Sequence, residues 1–60
     1  MITASDKLTC VEREVKMRRQ VYQRRVTNGV MRQETADREI EIMEAIAEDY
    51  RILVTKERLL

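Results

Sequence analysis

The chain of 60 residues has no histidine, proline, tryptophan or phenylalanine, and only one cysteine and one glycine. Each shortage removes a class of protein. One cysteine closes no internal disulfide, and Cys10 alone assembles no zinc site. Without histidine there is no Glu-x-x-His pair of the kind that holds metals in helix bundles. A single glycine leaves no glycine-rich phosphate loop, and no nucleophile is paired with a base at a readable spacing. The chain reads as a non-enzyme without metal or cofactor. Glu39, Glu41 and Glu44 crowd together in sequence, but they read as a solvated acidic helix face. Cys10 lies at the edge of an apolar strip and reads as a small buried hydrophobe rather than a reactive thiol.

Long apolar runs are also missing. None approaches the roughly 20 residues that span a bilayer, and residues 2–8 are too polar for a signal peptide. The expectation is a cytoplasmic protein with no membrane partner, where an unpaired cysteine fits the reducing compartment. Nothing resembles a linker, so residues 1–60 form one domain. Such a short chain buries only about 60% of the surface that it exposes when unfolded. Disulfides, metals or association usually make up the deficit. The first two are excluded here, which leaves association, and a homodimer is expected.

Charge is abundant, at 38% of the residues, yet the net charge is only +1. That balance argues against a protein whose main work is coating nucleic acid. Its distribution is uneven. From Ser5 to Val26 seven residues are basic and three acidic; from Gln33 to Arg58 four are basic and eight acidic.

Hydrophobic spacing divides the chain in the same way. Leu8, Val11, Val15, Tyr22 and Val26 recur at helical intervals and fall within a narrow arc at about 100° per residue. Thr3 with Asp6, or Thr9 with Glu12, has the spacing of a capping box, so the first helix begins between Thr3 and Thr9. Cys10, Met17 and Val21 form a second apolar strip, with Glu14, Arg18 and Arg25 between the two. In the second arm Ala36, Met43 and Tyr50 share one heptad position, Ile46 and Leu53 the next, and Ile40, Ala47 and Val54 flank them. That face is wide enough for a bundle rather than a two-stranded seam.

Between the arms, Asn28-Gly29 supplies residues tolerant of the left-handed conformation that ends helices. So short a connection makes the arms antiparallel neighbours. The reading is all-α: an antiparallel hairpin with helices over about 5–27 and 33–59 and a turn over about 28–32. Two hairpins packed face to face around a two-fold axis would cover both apolar faces as a four-helix bundle. The candidate core and dimer residues are Val11, Val15, Ile40, Met43, Ile46, Ala47, Tyr50, Leu53 and Val54.

The stretch MRRQVYQRR, Met17 to Arg25, is the candidate binding site, with Arg18, Arg19, Tyr22 and Arg25 as contact residues. Arginine grips carboxylate or phosphate through two parallel hydrogen bonds, and Arg and Tyr are enriched at binding hot spots. The competing reading is structural: solvated arginines, Arg18 paired with Glu14 one turn away, and Tyr22 in the core. A helix-turn-helix domain is discounted because no length is left for a third helix. A dimer presenting two basic helices to nucleic acid stays open, although the acidic arm would repel phosphates.

The string LTCVEREVKMRRQVYQRRVTNGVMRQETADREIEIMEAIAEDY, Leu8 to Tyr50, resembles short helical-hairpin proteins of proteobacterial phages and prophages. The resemblance rests on C-V-x-R-E, M-R-x-x-V-Y, a glycine corner and A-D-x-E-I-x-x-M-E-A-I. It is similar in size and form to host-takeover factors, among them the quorum-sensing anti-activators of Mu-like phages. What the resemblance implies is a dimeric module that binds a host protein, such as a transcription regulator, and inhibits or redirects it. One departure stands out. The second helix is expected to open on Ser or Thr, and the chain has Arg32 there, so that helix starts unaided or Thr35 caps a later start. A looser likeness, over Val26 to Ile46, is to short helical oligomerisation modules.

Overall fold

A computed structural model describes residues 1–59. It contains two helices and, among the described residues, no strand: α1, Ala4–Thr27, and α2, Gln33–Leu59. The amino end of α1 is fixed by the first of the two possible capping boxes. Thr3 Oγ1 accepts from the Asp6 backbone N–H at 3.1 Å, and Asp6 Oδ2 accepts from the Thr3 N–H at 3.0 Å. Such a cap is worth about 1 kcal/mol. The hydroxyl of the alternative cap, Thr9, instead donates to the Ser5 carbonyl at 3.0 Å, as a residue inside a helix does.

The far end of α1 closes in a Schellman motif. Gly29 N–H donates to the Val26 carbonyl and Val30 N–H to the Arg25 carbonyl, both at 3.0 Å. Gly29 carries the left-handed backbone this needs, at φ 74°, while Asn28 stays at φ −83°. An alanine at 29 would meet no neighbouring atom, so its cost, about 1–2 kcal/mol, is purely conformational. Arg24 and Arg25 lie in the last turn, where positive charge complements the carbonyl end of the helix.

Helix α2 opens unaided. The Arg32 carbonyl accepts from the Ala36 N–H at 3.1 Å, and no side chain caps the start among the described residues. Gln33 steadies the first turn by donating to Asp37 Oδ1 at 2.8 Å. Thr35 lies inside the helix, so it caps no later start.

At 24 and 27 residues, the helices are rods of about 36 and 40 Å, laid antiparallel in a body of 48 × 19 × 12 Å. Ion pairs set the register: Arg19 meets Glu44 and Glu12 meets Arg51 across the hairpin. Each step up α1 is therefore a step down α2. Val15 comes level with Ala47, and both are buried, at 5% and 1% exposure, with Ala36 and Val54 extending the seam. Alanine at two of these four positions lets the backbones approach closely.

The core is thin. Of the expected core residues, Val15, Ala47 and Val54 are buried, and Val11, Ile40, Met43 and Tyr50 are half-buried. Ile46 and Leu53 are exposed in the single hairpin, at 38% and 45%. The helical period places them round the edge of α2, next to the seam and not in it. Cys10, expected to be a small buried residue, is exposed for the same reason on α1.

Candidate interaction site

The seam has two flanks, and the residues of interest divide between them. At about 3.6 residues per turn, Glu12 and Arg19 lie to one side of Val15, while Cys10, Arg18, Val21 and Arg25 lie to the other. The first flank is laced by charge. Arg19 binds Glu44 at 2.7 Å, and Arg51 binds Glu12 and Glu48, each at 3.2 Å. The Arg51 pKa is held above its ordinary value by Glu48 first and Glu12 second. Toward the turn this flank opens into a cleft of about 550 Å³, floored by Tyr22, Val26, Ala36 and Ile40 and rimmed by Arg19 and Glu44.

The second flank has an apolar outer edge, with Glu14, Arg18 and Arg25 of α1 and Glu39 of α2 between that edge and the seam. Met17 on α1 and Ile42, Ile46 and Leu53 on α2 are 38–50% exposed, and Val11, Val21, Met43 and Tyr50 lie half-buried beside them. Near the amino terminus Ile2, Cys10, Val11 and Tyr50 line an open apolar hollow of about 570 Å³. Lys7 reaches over the Tyr50 ring, 5.9 Å from its centre, at the outer limit of a cation–π contact.

The four contact residues expected from the sequence do not form one patch. Arg19 belongs to the ion-paired flank and is occupied by Glu44. Arg18 lies on the other side of the helix, 3.4 Å from Glu14. Its pKa is raised, by Tyr22 first and by Glu14 after it. Tyr22 is half-buried in the seam between the two arginines. Arg25 is exposed and forms no salt bridge among the described residues. About two helical turns separate the tied Arg18 from Arg25, so the open guanidinium sits at the turn end of the hairpin.

The sequence reading missed Arg51, which joins the two helices with Glu12. Nothing in the local pattern points to it, because a separation of 39 positions makes the pair visible only once the register is known. No group of three or more Cys, His, Asp or Glu residues is placed to hold a metal among the described residues. Likewise no described helix is long and apolar enough to cross a membrane. No protein-family model, curated protein or solved structure matches this chain.

Proposed function

We propose that the chain works by binding: two hairpins close into a homodimeric four-helix bundle that docks on another protein and inhibits or redirects it. The observation that carries this reading is the surface the single hairpin leaves uncovered. It exposes 5028 Å², against about 4100 Å² expected for a compact monomer of 7.2 kDa. The excess, about 900 Å², is close to the roughly 800 Å² that each partner contributes to a standard interface. No large side chain is fully buried among the described residues, so the hairpin alone has only a thin core of small side chains.

The resemblance to phage and prophage hairpin proteins supports a host protein as the further partner, in the cytoplasm, with a transcription regulator as one such target. Arg25 is the favoured contact: in the single hairpin it is exposed and in no salt bridge among the described residues, and it lies at the turn end of the flank that the second copy covers, where the bundle stops. A dimeric RNA- or DNA-binding regulator is the competing reading, favoured by the positive charge of α1. Seven basic and three acidic side chains between Ala4 and Thr27 give that helix +4.

Capture from host lysate on the immobilised protein, with and without nuclease, separates the two. A protein partner should survive nuclease and be lost with Arg25→Glu in a chain that light scattering shows still to be dimeric, but not with Arg13→Glu, an equal charge change on the outer face of α1. Capture abolished by nuclease, or falling steeply between low and physiological salt, would move the assignment to nucleic acid.

A further inference from the structure

The apolar flank says not only that a second copy covers it but which way round that copy lies. We infer that the two hairpins pair with their two-fold axis parallel to the helices, so that each α1 packs against the partner's α2 and both turns lie at one end of the bundle. This rests on the dimer reading above and adds the arrangement.

Two all-antiparallel arrangements exist for hairpins stacked face to face. A two-fold axis parallel to the helices sets α1 beside the partner's α2. A two-fold axis across them sets α1 beside α1 and α2 beside α2, with the turns at opposite ends. Register distinguishes the two. The ion pairs put Glu12 level with Arg51 and Arg19 level with Glu44. By the same register Cys10 is level with Leu53, Met17 with Ile46 and Val21 with Ile42.

These six residues are the apolar edge positions of the flank. Cys10 is exposed and Val21 half-buried, and the other four are 38–50% exposed. A two-fold axis parallel to the helices preserves levels. Each apolar residue on the edge of α1 then meets an apolar residue on the partner's α2. The crossed arrangement does not manage this. With Cys10 set against the other copy's Val21, Met17 meets Glu14. With Met17 set on the axis, Cys10 meets Arg24 and Val21 meets Arg13.

Charge points the same way. Helix α1 carries +4. Helix α2, with four basic and eight acidic side chains between Gln33 and Leu59, carries −4. In the parallel-axis arrangement every helix has two neighbours of opposite sign. In the crossed one α1 lies against α1 and α2 against α2. The parallel-axis arrangement also sets four like-charged pairs level, Lys7 with Lys56, Arg25 with Arg38, Asp6 with Glu57 and Glu14 with Asp49, so the preference rests on the net charge of whole helices. Arg18 already leans toward Glu14, at 3.4 Å, and is placed to serve both carboxylates.

The consequence reaches function. Basic helices on diagonal corners, each flanked by acidic ones, offer no continuous positive face for a phosphate backbone. The crossed arrangement would join two such helices into one.

The test uses the full chain with Cys10→Ser and a single nitroxide label at Val30→Cys, on the turn, where the side chain is 74% exposed. Pulsed dipolar spectroscopy should give a label–label distance below about 25 Å, since neighbouring helices lie 8–10 Å apart. Turns at opposite ends would give above about 35 Å, one helix length. A second label at Thr27→Cys, near the same end, should also read short and keeps the test decisive if a label on the turn disturbs folding. A long distance in a chain that light scattering shows to be dimeric overturns the arrangement and leaves the dimer standing. It would also strengthen the nucleic-acid reading. A monomer by light scattering, without dipolar coupling, overturns both.

Discussion

Along one flank of the hairpin long charged side chains from both helices reach over the seam and meet, as Arg19 with Glu44 and Arg51 with Glu12. Along the other, Met17, Ile42, Ile46 and Leu53 stand 38–50% exposed, and among the described residues no ion pair crosses from helix to helix beside them. The same backbone pairing supports both, so the difference lies in the side chains. An exposed ion pair remains well solvated and neither gains nor loses much. An exposed aliphatic side chain forgoes about 25 cal/mol for every Å² left in water. One flank is finished as a surface, and the other leaves apolar side chains in water, which the proposed second copy would cover.

The strongest way to break that comparison is to place a charge on the apolar flank. Ile46→Asp should leave the chain monomeric and largely unfolded, read by light scattering and circular dichroism. Ile46→Ala should cost about 2–5 kcal/mol in a denaturant melt if a second copy buries the site. A variant that melts and sediments like the parent would show that Ile46 faces water in the working protein.

The seam shared by both flanks should respond to added bulk. Ala47 is 1% exposed and level with Val15, so Ala47→Leu should force the helices apart and cost about 1–3 kcal/mol. Unchanged stability would mean that the helices have room to spare at their closest level.

The ion-paired flank should respond least to mutation. Arg19→Ala or Glu44→Ala should cost at most about 1 kcal/mol and leave the dimer intact, since the two side chains are 57% and 40% exposed. A double-mutant cycle across this pair should shrink further in high salt. A loss as large as that of Ile46→Ala would show that this flank, too, is covered.

pH should sharpen the contrast by changing nothing. Arg18 and Arg51 have raised pKa values. Wherever the partner glutamates are ionised, what their pairs contribute is therefore fully present below the ordinary arginine range and lost as pH rises above it. The chain also lacks histidine, the side chain that ordinarily titrates between about pH 5 and 8. Melting temperature should be flat across about pH 6 to 8. A slope there would point to a titrating group created by the assembly.

What the sequence determined by itself is everything that depends on neighbours along the chain. The spacing of Leu8, Val11, Val15, Tyr22 and Val26 on one arm and Ala36 to Val54 on the other dictates two helices, because a 3.6-residue period gathers side chains only on a helix. Gly29 is the one residue free of a Cβ, so the end of α1 was legible. Its start was narrowed to two capping boxes of equal spacing, Thr3 with Asp6 and Thr9 with Glu12, of which the folded helix forms the first. The Glu14–Arg18 pair was legible as well, being one turn apart. Register across the hairpin was not, because Arg19 and Glu44 are 25 positions apart, and Glu12 and Arg51 39 apart, with no local mark of the pairing. Only the packed helices decided that Arg19 and Arg18 fall on opposite flanks, dividing what reads in sequence as one basic cluster. They also decided that Ile46, Leu53 and Cys10 stand outside the seam, since a wide stripe shows that a residue faces some neighbour, and only the angle at which two helices meet determines which side chains the first neighbour covers.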